Sequence, residues 1–569
     1  MPFLLSYTRK PIDSVYYDPR LAYSVHFAVS LDGHSFTALN HNSGVLFAKA
    51  TENADGSLNP KTLKEPFSYA DCDGLFTLAA LRFGGDGEDD PEAAAGQGCK
   101  AFLFHTKDFL EFDDGEEISI EKYREVTSSG PNPALAELSR SIEGAVPGNV
   151  LEIPQSVYDR LCKKLGERVN TEIIIEDSGN EPVSLVTATS KSDLEKKLED
   201  IKATALYSDG TTASKKIDWD LSSLVFGKKG SQTLKGTVHQ QHFEFPMARD
   251  RADPCMCKWG DKYYFIATND ADQNHTLYIR EADSIPGLVN APETLLLDST
   301  SFDGIGGLLW APEFHEINGQ LYIFHAATPG EFFWEESHIM CLKKGGNPTN
   351  RADWSAPKRI CRADGSDICE AGKEITLDMT CFPWEGEYYV IWSQRQFLPK
   401  DLGAWLYIAK LNDKEPWKLA SEPVVLSKPD YGWANNHTFV DEGPFALLRD
   451  DRLFITFSSA AVDTSYVVGL LQIKKGQNLL DRKNWKKTGY PLLTSRSMPG
   501  EFGTGHNAYV IDDDGEIWNT YHARPGIDAP RSSGVRRVHF DCDGEPVLDL
   551  TEDKDLKAEL KKVEIKVVL

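Results

Sequence analysis

Short runs of aromatic and β-branched residues, each preceded by a tight polar turn, recur through the C-terminal half of the chain. Counted from turn to turn, the runs are 59, 67, 65 and 64 residues apart. A nearly constant period with a strand signature indicates repeated β units, and a step of this size holds about four strands with their loops. The runs span Trp259–Asp270, Ile317–Thr328, Trp384–Gln394, Leu448–Ser459 and Asp513–Ala523.

Five such repeats predict a five-bladed β-propeller, which we place at residues 243–569. The alternative is a set of five unrelated hairpins in a β-sandwich, which the even spacing disfavours. Clear amphipathic helical periodicity is confined to Ser156–Gly166 and Ser192–Ile201. The rest of the chain alternates short apolar runs with Gly, Asp, Asn and Pro, so the predicted fold class is mainly β.

Two further units are predicted ahead of the propeller. In residues 144–242, the segments Tyr207–Gly210, Ile217–Trp219 and Gly236–Val238 resemble the pattern of bacterial immunoglobulin-like modules. That resemblance implies a β-sandwich module, and we see no catalytic cluster in it. Residues 1–143 predict an N-terminal β-rich accessory domain, built either as partial propeller blades or as a small sandwich. We hypothesise that both units pack on the propeller and shape the rim of its pocket.

Composition narrows the class of partner. A chain of 569 residues is too long for one ordinary core and predicts two to four domains. The formal net charge of -26 argues against nucleic acid or an anionic membrane as partner, and it suits a neutral or cationic ligand. No apolar run approaches the roughly 18–20 residues that span a bilayer. The sequence does not indicate an oligomeric state.

The cysteines and the N-terminus bear on the cellular compartment. Ten cysteines are scattered along the chain without a CxxC pair, which favours free thiols. The first residues contain no basic region followed by a long apolar stretch. These features predict a cytoplasmic protein, or a secreted one whose leader has been removed.

Three carboxylates stand in apolar or Gly/Pro-rich settings just before a repeated strand. Asp253 lies in RADPCM, Asp378 in ITLDMTCF and Glu442 in FVDEGPFALL. Because a propeller gathers side chains from several blades around one axis, acids placed similarly in three blades are expected to face one pocket. Asp441 is the rival of Glu442, and the following Gly443–Pro444 favours Glu442.

The C-terminal half resembles glycoside hydrolase family 43, over about residues 245–569. The resemblance rests on the Ala-Asp-Pro context of Asp253, the apolar stretch before Asp378 and the Glu-Gly-Pro context of Glu442. Two further segments match, Trp310–Glu313 (Trp-Ala-Pro-Glu) and Gly505–Asn507 (Gly-His-Asn). The resemblance implies a five-bladed propeller of inverting glycosidases, most of which are α-L-arabinofuranosidases or β-xylosidases.

The resemblance also implies roles for the three acids. Asp253 is the general base, Glu442 is the general acid, and Asp378 is a third carboxylate that tunes the acid and holds the sugar. Inversion needs a carboxylate that deprotonates water and a carboxylic acid that protonates the leaving oxygen, with about 6.5–9.5 Å between them. Burial or nearby negative charge keeps such an acid protonated by raising its pKa. Glu313 is expected to be a structural or pocket-wall residue.

Four further residues are candidates for the pocket. Trp310 is expected to form an aromatic wall under a sugar ring or to belong to the core, and Arg524 is expected to contact sugar hydroxyls. His437 is a candidate for the pocket lining because it precedes Glu442. No cofactor is required, but some family members hold a calcium or sodium ion on the axis through a histidine and waters, which implies His506. One histidine is a poor calcium site, and a satisfied core histidine is the alternative.

These observations predict an inverting exo-glycosidase that removes α-L-arabinofuranosyl residues from plant-derived glycans or oligosaccharides. Within the enzyme class, β-xylosidase and the cleavage of galactan or arabinan are the alternatives. A non-catalytic carbohydrate-binding propeller would lack at least one of the acids, and a protein-interaction propeller would lack convergent carboxylates. The exposed aromatic loop Phe332–Trp334 is expected to shape a substrate rim or simply to pack.

Overall fold

The structure, a computed structural model, describes residues 1–11, 19–71, 74–128, 141–228 and 230–569. It is mainly β, as predicted, and its described residues separate into two compact units. The first unit contains Met1–Gln155 and Phe243–Val535, and the second contains Ser156–His242 and Arg536–Leu569. This division differs from the three consecutive domains expected from the sequence.

The N-terminal part of the first unit forms two four-stranded sheets and one two-stranded pair. Its elements are β1 (Phe3–Arg9), α1 (Pro19–Ala22), β2 (His26–Ser30), β3 (Thr37–Ala38), β4 (Thr51–Glu52), β5 (Leu58–Asn59), β6 (Lys61–Ala70), β7 (Phe76–Gly84), β8 (Lys100–Thr106), β9 (Glu116–Ile118), α2 (Ile120–Val126) and β10 (Ala145–Glu152). The sheet orders are β10-β1-β2-β3 and β6-β7-β8-β9. Because β10 pairs with β1 from end to end, the N-terminal part runs on past the predicted boundary at residue 143.

The part of the second unit before the propeller contains both helices that the periodicity predicted. Its first elements are α3 (Gln155–Leu165), β11 (Asn170–Asp177), β12 (Leu185–Thr187), α4 (Lys191–Glu199), β13 (Ile201–Tyr207), β14 (Thr212–Trp219) and β15 (Ser231–His239). The apolar stripe of α3 buries Val157, Leu161 and Leu165. The shorter stripe of α4 buries Leu194 and Leu198, so both helices bury the residues that their spacing placed on one face.

The predicted propeller occupies the rest of the first unit, with four strands in blades I to IV and three in blade V. Blade I is β16 (Arg251–Trp259), β17 (Lys262–Asn269), β18 (Thr276–Ala282) and β19 (Thr294–Asp298), with α5 (Ile285–Leu288). Blade II is β20 (Gly307–Ile317), β21 (Gln320–Thr328), β22 (Glu336–Cys341) and β23 (Lys358–Arg359). Blade III is β24 (Glu374–Trp384), β25 (Glu387–Gln396), β26 (Gly403–Leu411) and β27 (Val424–Ser427). Blade IV is β28 (Asp441–Arg449), β29 (Arg452–Ser459), β30 (Val467–Lys474) and β31 (Lys486–Lys487). Blade V is β32 (Phe502–Ile511), β33 (Ile517–Arg524) and β34 (Ser532–Arg537).

The repeats seen in the sequence form the second strand of each blade and the turn before it. The strands that surround the axis are instead the first strands, β16, β20, β24, β28 and β32, which contact one another. At the point of closure, Ala248 forms a β-bridge with Ser533, so the segment before blade I meets the last strand of blade V. The three predicted acids therefore lie within the innermost strands rather than ahead of them.

Each innermost strand contains a β-bulge. The pairing register shifts at Ala252/Cys255, Trp310/Glu313, Leu377/Thr380, Glu442/Phe445 and Gly505/Ala508. One residue at each shift has a left-handed backbone, with φ of 51° at Asp253, 43° at Ala311, 53° at Asp378, 54° at Gly443 and 50° at His506. These five positions are structurally equivalent. Asp253 and Asp378 thus occupy the same place in their blades, whereas Glu442 lies one residue before it.

The C-terminal tail belongs to the second unit. Its elements are β35 (His539–Phe540), β36 (Pro546–Val547), α6 (Glu552–Asp555) and β37 (Lys562–Val568). Strand β37 pairs antiparallel with β15 and parallel with β12, in a six-stranded sheet of order β11-β13-β14-β15-β37-β12. This pairing corrects the predicted propeller range of 243–569, because residues 536–569 fold with Ser156–His242. The immunoglobulin-like sandwich stays a prediction.

A buried ion cluster stabilises the second unit. Asp555 is 1% exposed and lies 2.8 Å from Lys215 Nζ, while Arg537 Nε donates to its Oδ2 at 3.0 Å. Tyr207 also donates its hydroxyl to Asp555. Burial raises the pKa of the Asp555 carboxyl, but Arg537 and Lys215 more than offset this and hold the pKa well below its usual range.

We expect Asp555→Asn to destabilise the second unit by about 3–5 kcal/mol, because two buried cations lose their carboxylate. Native-state hydrogen exchange of the β13 and β15 amides measures the loss. In the wild type, the contribution of Asp555 is present above the ordinary carboxyl pKa and is lost as the pH falls through the lower folded-state pKa. Asp553→Asn, at an exposed position of the same helix, is the control, and an equal effect in both variants would contradict the expectation.

Candidate functional site

One cavity on the propeller is lined by residues from all five blades. Its volume is about 410 Å³. The lining includes Asp253, Trp310, Asp378, Glu442, His506 and Arg524, which are six of the seven residues predicted from the sequence. The seventh, His437, does not line it. Among the described residues of the N-terminal part, none lines this cavity, and the hypothesis that residues 1–143 shape the pocket rim stays a prediction.

Asp253 is a buried carboxylate held by cationic and imidazole groups. Its Oδ1 lies 3.1 Å from Arg531 Nη1, 3.0 Å from His522 Nδ1 and 3.2 Å from His506 Nδ1. Burial raises the pKa of Asp253, but Arg531 and the two histidines outweigh it and hold the pKa well below the usual range. Within the described residues these contacts all fall on Oδ1, which leaves Oδ2 for a ligand or a water.

Arg531 is itself fixed by a second carboxylate. Its Nε and Nη2 donate to the two oxygens of Asp270 at 3.0 and 2.9 Å, while Nη1 reaches Asp253. A bidentate guanidinium–carboxylate pair holds the planar group in one orientation. Asp270 therefore positions the cation that keeps Asp253 ionised.

Glu442 is in the opposite electrostatic state. Its pKa is raised to about 7, mainly by burial and in part by the Asp253 charge, while a Tyr466 hydrogen bond, Arg531 and Arg395 oppose the rise. Tyr466 donates its hydroxyl to Glu442 Oε1 at 2.8 Å. The cavity thus combines one carboxyl that is ionised near neutral pH with one whose pKa lies near 7, so that a substantial fraction of it is protonated there.

Asp378 completes the group of acids. Its Oδ2 accepts a hydrogen bond from the backbone N–H of Gly443 at 3.0 Å. Burial raises its pKa well above the usual range, and the charges of Glu442 and Asp253 add to the rise. Near Asp378, Glu335 is fully buried, and neither of its carboxyl oxygens has a hydrogen-bond partner among the described residues. Burial, followed by the Asp378 charge, raises the pKa of Glu335 as well.

The two rival acids have structural partners. Asp441 is fully buried, accepts hydrogen bonds from Ser427 at 2.6 Å and Ser459 at 2.7 Å, and lies 3.2 Å from Lys487 Nζ. Glu313 is buried and lies 2.7 Å from His315 Nε2. Neither lines the cavity, which agrees with the preference for Glu442 and with the structural interpretation of Glu313.

Aromatic and guanidinium groups complete the wall. The indole Nε1 of Trp310 donates to Asn274 at 2.9 Å, and its ring meets Phe332 edge to face at 6.1 Å. Phe332 lines the cavity, which favours the predicted rim role for this part of the aromatic loop. Arg524 donates to the carbonyls of Ala529 and Val462 at 2.7 and 2.8 Å, so its guanidinium is already oriented by backbone.

His437 is a correction to the predicted lining. Its side chain is exposed, and its Nδ1 lies 2.7 Å from Asp463 Oδ2. It was predicted to line the pocket because it lies close to Glu442 in the sequence. However, Glu442 lies on the innermost strand, whereas His437 precedes that strand in a turn.

Four site residues were missed by the sequence reasoning: Asp270, Tyr466, His522 and Arg531. His522 stands in the same YHARPG segment as Arg524 and at the end of a repeated strand, which was a usable signal. Tyr466 and Arg531 lie in segments without a distinctive pattern. Arg531, just before β34 of blade V, reaches Asp253 of blade I, and Tyr466, just before β30, reaches Glu442 within blade IV. One sequence does not reveal such contacts.

The geometry permits a test of the predicted axial ion. Asp253, His506 and His522 offer ligand atoms within 4.8 Å of one another. This set does not fit calcium, because calcium prefers six to eight oxygen ligands and the set offers two imidazoles and one carboxylate, whose Oδ1 already pairs with Arg531. His506 Nε2 is buried without a hydrogen-bond partner among the described residues, so it is the atom that could face an ion or a water.

Two general properties accompany this site. All nine cysteines within the described residues are free thiols, as the scattered spacing predicted; Cys72 lies outside those residues. Among the described helices, none has the length and apolarity needed to cross a bilayer.

Comparisons with known proteins find similarity over about half of the chain. The sequence profile of glycosyl hydrolases family 43 matches residues 245–546. The extracellular exo-alpha-(1->5)-L-arabinofuranosidase of Streptomyces chartreusis is 31% identical over 284 residues, which is 50% of this chain and 82% of that protein. Alpha-L-arabinofuranosidase 43 of Humicola insolens is 32% identical over 308 residues, or 52% of this chain and 61% of that protein. The crystal structure of alpha-L-arabinofuranosidase from Lactobacillus brevis has 30% identity and a TM-score of 0.48, covering 53% of this chain and 94% of its own.

We expect Tyr466→Phe to raise the pKa of Glu442 by about one unit, because the ionised carboxylate loses a hydrogen bond that favours the charged form. Carboxylate ¹³C NMR titration of the labelled protein measures the shift. Tyr509→Phe removes a buried tyrosine hydroxyl that is bonded to Thr456 instead, and it should leave Glu442 unchanged. A Glu442 pKa that stays constant or falls in Tyr466→Phe would contradict the expectation.

Proposed function

This chain belongs to glycosyl hydrolases family 43, and on that premise we propose that it is an inverting, exo-acting α-L-arabinofuranosidase. The observation that carries the proposal is the opposed state of two carboxyl groups in one cavity. Asp253 has a pKa well below the usual range, whereas the pKa of Glu442 is raised to about 7. Curated relatives named arabinofuranosidases support the choice of sugar.

In the proposed reaction, Asp253 accepts a proton from a water through Oδ2, while the water oxygen attacks the anomeric carbon. The bond from that carbon to the leaving oxygen breaks, and the leaving oxygen takes the proton of Glu442. Tyr466 bonds to Oε1 of Glu442, so Oε2 is the oxygen that donates this proton. One water is consumed, the sugar leaves with inverted configuration, and a proton must return from Asp253 to Glu442 before the next turnover.

Asp378 has a supporting role in this proposal. It is anchored to the backbone of Gly443, the residue that directly follows Glu442. A carboxyl held at that place restricts the position of Glu442 and shares its proton equilibrium. With a raised pKa, Asp378 can also donate a hydrogen bond to a sugar hydroxyl. Trp310 and Arg524 then form the wall against which the arabinosyl ring packs.

Three further expectations concern the substrate, a bound ion and the cellular location. A carbohydrate substrate follows from family membership. An axial ion stays a prediction from the family resemblance, and the ligand set around His506 does not suit calcium. The comparisons do not support the predicted cytoplasmic location, because two relatives are named extracellular enzymes.

A panel of glycosides tests the function. The wild type is expected to hydrolyse p-nitrophenyl α-L-arabinofuranoside well above the β-D-xyloside and β-D-galactoside. Glu442→Gln should lower kcat/KM on α-1,5-linked arabinotriose by about 10²–10⁴, because the leaving oxygen loses its proton donor. The loss should be smaller on the p-nitrophenyl substrate, whose leaving group needs little protonation.

Glu316→Gln, at an exposed position of blade II, is the matched control and should keep full activity. Turnover of the xyloside alone would contradict the assigned sugar. Equal losses on both leaving groups would contradict the role of Glu442 as general acid, and no turnover of any glycoside would contradict an enzyme of this class.

A further inference from the structure

A second cavity, here called the N-terminal cavity, lies between the N-terminal sheets and blade IV within the first unit. Its volume is about 420 Å³, close to that of the candidate catalytic cavity. The walls come from residues 45–51, from Leu63 of β6, from β7 and β8, from residues 110–114, and from the propeller residues Tyr431, Lys486, Lys487 and Gly489. The two cavities share no lining residue, so this is a separate site.

Backbone hydrogen bonds join the N-terminal part of this wall to its propeller part. Lys49 forms a β-bridge with Tyr431. The N–H of Ala50 donates to the carbonyl of Asp430 at 2.6 Å, and the N–H of Gly432 donates to the carbonyl of Ala48 at 3.0 Å. These main-chain bonds fix the part of the wall where residues 48–50 meet residues 430–432, which favours a preformed cavity.

The charged groups that line the cavity are matched in pairs. The pairs are Lys49 with Asp114 at 2.6 Å, Arg82 with Asp90 at 2.9 Å, Lys487 with Asp430 at 3.0 Å, Asp113 with His105 at 2.8 Å, and Lys486 with Glu111. Each lining cation therefore has a carboxylate partner, and an anionic ligand would have to displace one of them. This arrangement favours a neutral ligand that hydrogen-bonds to the paired groups.

Aromatic rings supply the apolar part of the wall. Phe102, Phe112 and Tyr431 line the cavity and are partly exposed. The guanidinium of Arg82 lies 4.8 Å from the centre of the Phe102 ring, and Lys49 Nζ lies 5.3 Å from that of Tyr431. Rings flanked by polar groups suit a ligand with apolar faces and polar edges, which describes a sugar.

We propose that the N-terminal cavity is a second, non-catalytic carbohydrate-binding site that holds about one or two neutral sugar units. It contains none of the carboxyl groups proposed for hydrolysis, so it would bind its sugar without cleaving it. Such a site would keep a glycan on the enzyme between successive cleavages. The choice of arabinose units as its ligand rests on the proposed function.

The test is isothermal titration calorimetry of full-length Glu442→Gln with α-1,5-linked arabinotriose, since this variant leaves the probe intact. Two arabinotriose molecules are expected to bind to each protein molecule, one in each cavity. Adding Phe112→Ala removes a partly exposed ring from the N-terminal cavity, and it should weaken one of the two equivalents roughly tenfold or more. Adding Phe226→Ala, an exposed ring of the second unit, is the matched control and should leave both equivalents unchanged.

The outcomes separate the two proposals. If only one molecule of arabinotriose and only one of β-1,4-linked xylotriose binds, and Phe112→Ala weakens neither, the second site is overturned even in an active enzyme. A second equivalent that depends on Phe112 supports the site. If that equivalent appears with xylotriose while the wild type hydrolyses no arabinofuranoside, the second site stands and the proposed function fails.

Discussion

The candidate site depends on one backbone constraint, the bulge in the innermost strand of each propeller blade. The extra residue takes a left-handed conformation, which costs a non-glycine residue about 1–3 kcal/mol. Asp253, Asp378 and His506 all adopt it, with φ between 50° and 53°. Blade IV places Gly443 at the equivalent position, where a left-handed backbone is unstrained, and its acid stands one residue earlier. Bulges of this kind re-aim side chains near active sites, and here they bring acids from separate blades into one cavity.

Once these acids are together, their protonation follows from the groups around each. Asp253 is adjacent to Arg531 and therefore stays ionised despite its burial. Glu442 and Asp378 are also buried, but less positive charge lies near them, so their pKa values rise. Asp270 does not line the cavity, but it contributes to this charge pattern because it holds the Arg531 guanidinium with two hydrogen bonds. Arg531, together with His506 and His522, therefore keeps the pKa of Asp253 far below that of the buried Glu442.

Local patterns in the sequence predicted the repeated elements well. The five turn–strand repeats became the second strands of five blades, and both amphipathic helices formed where the periodicity placed them. The predicted domain boundaries differ from the observed units because they depend on pairing between distant segments. Strand β10 returns to β1, and Leu234 of β15 pairs with Ile565 of the C-terminal strand. Neither pairing has a local signature.

The site itself was predictable only in part. Asp253, Asp378 and Glu442 stand in distinctive contexts, and all three line the cavity. Arg531 lowers the pKa of Asp253, and Tyr466 opposes the rise that burial causes in the pKa of Glu442. Both reach these acids from other strands or segments, and their neighbours in sequence are unremarkable in composition. His437 shows the opposite error, since closeness in sequence to Glu442 did not bring it to the pocket.

The central claim is that Asp253 activates a water for attack on the sugar while Glu442 protonates the leaving oxygen, and the stereochemistry of the first product tests it most directly. Proton NMR during the earliest minutes of hydrolysis of an α-L-arabinofuranoside distinguishes the two anomers before they equilibrate. The account predicts that β-L-arabinose appears first and that the α-anomer grows in later. Initial release of α-L-arabinose would contradict it, because retention requires a carboxylate that attacks the sugar directly rather than through water.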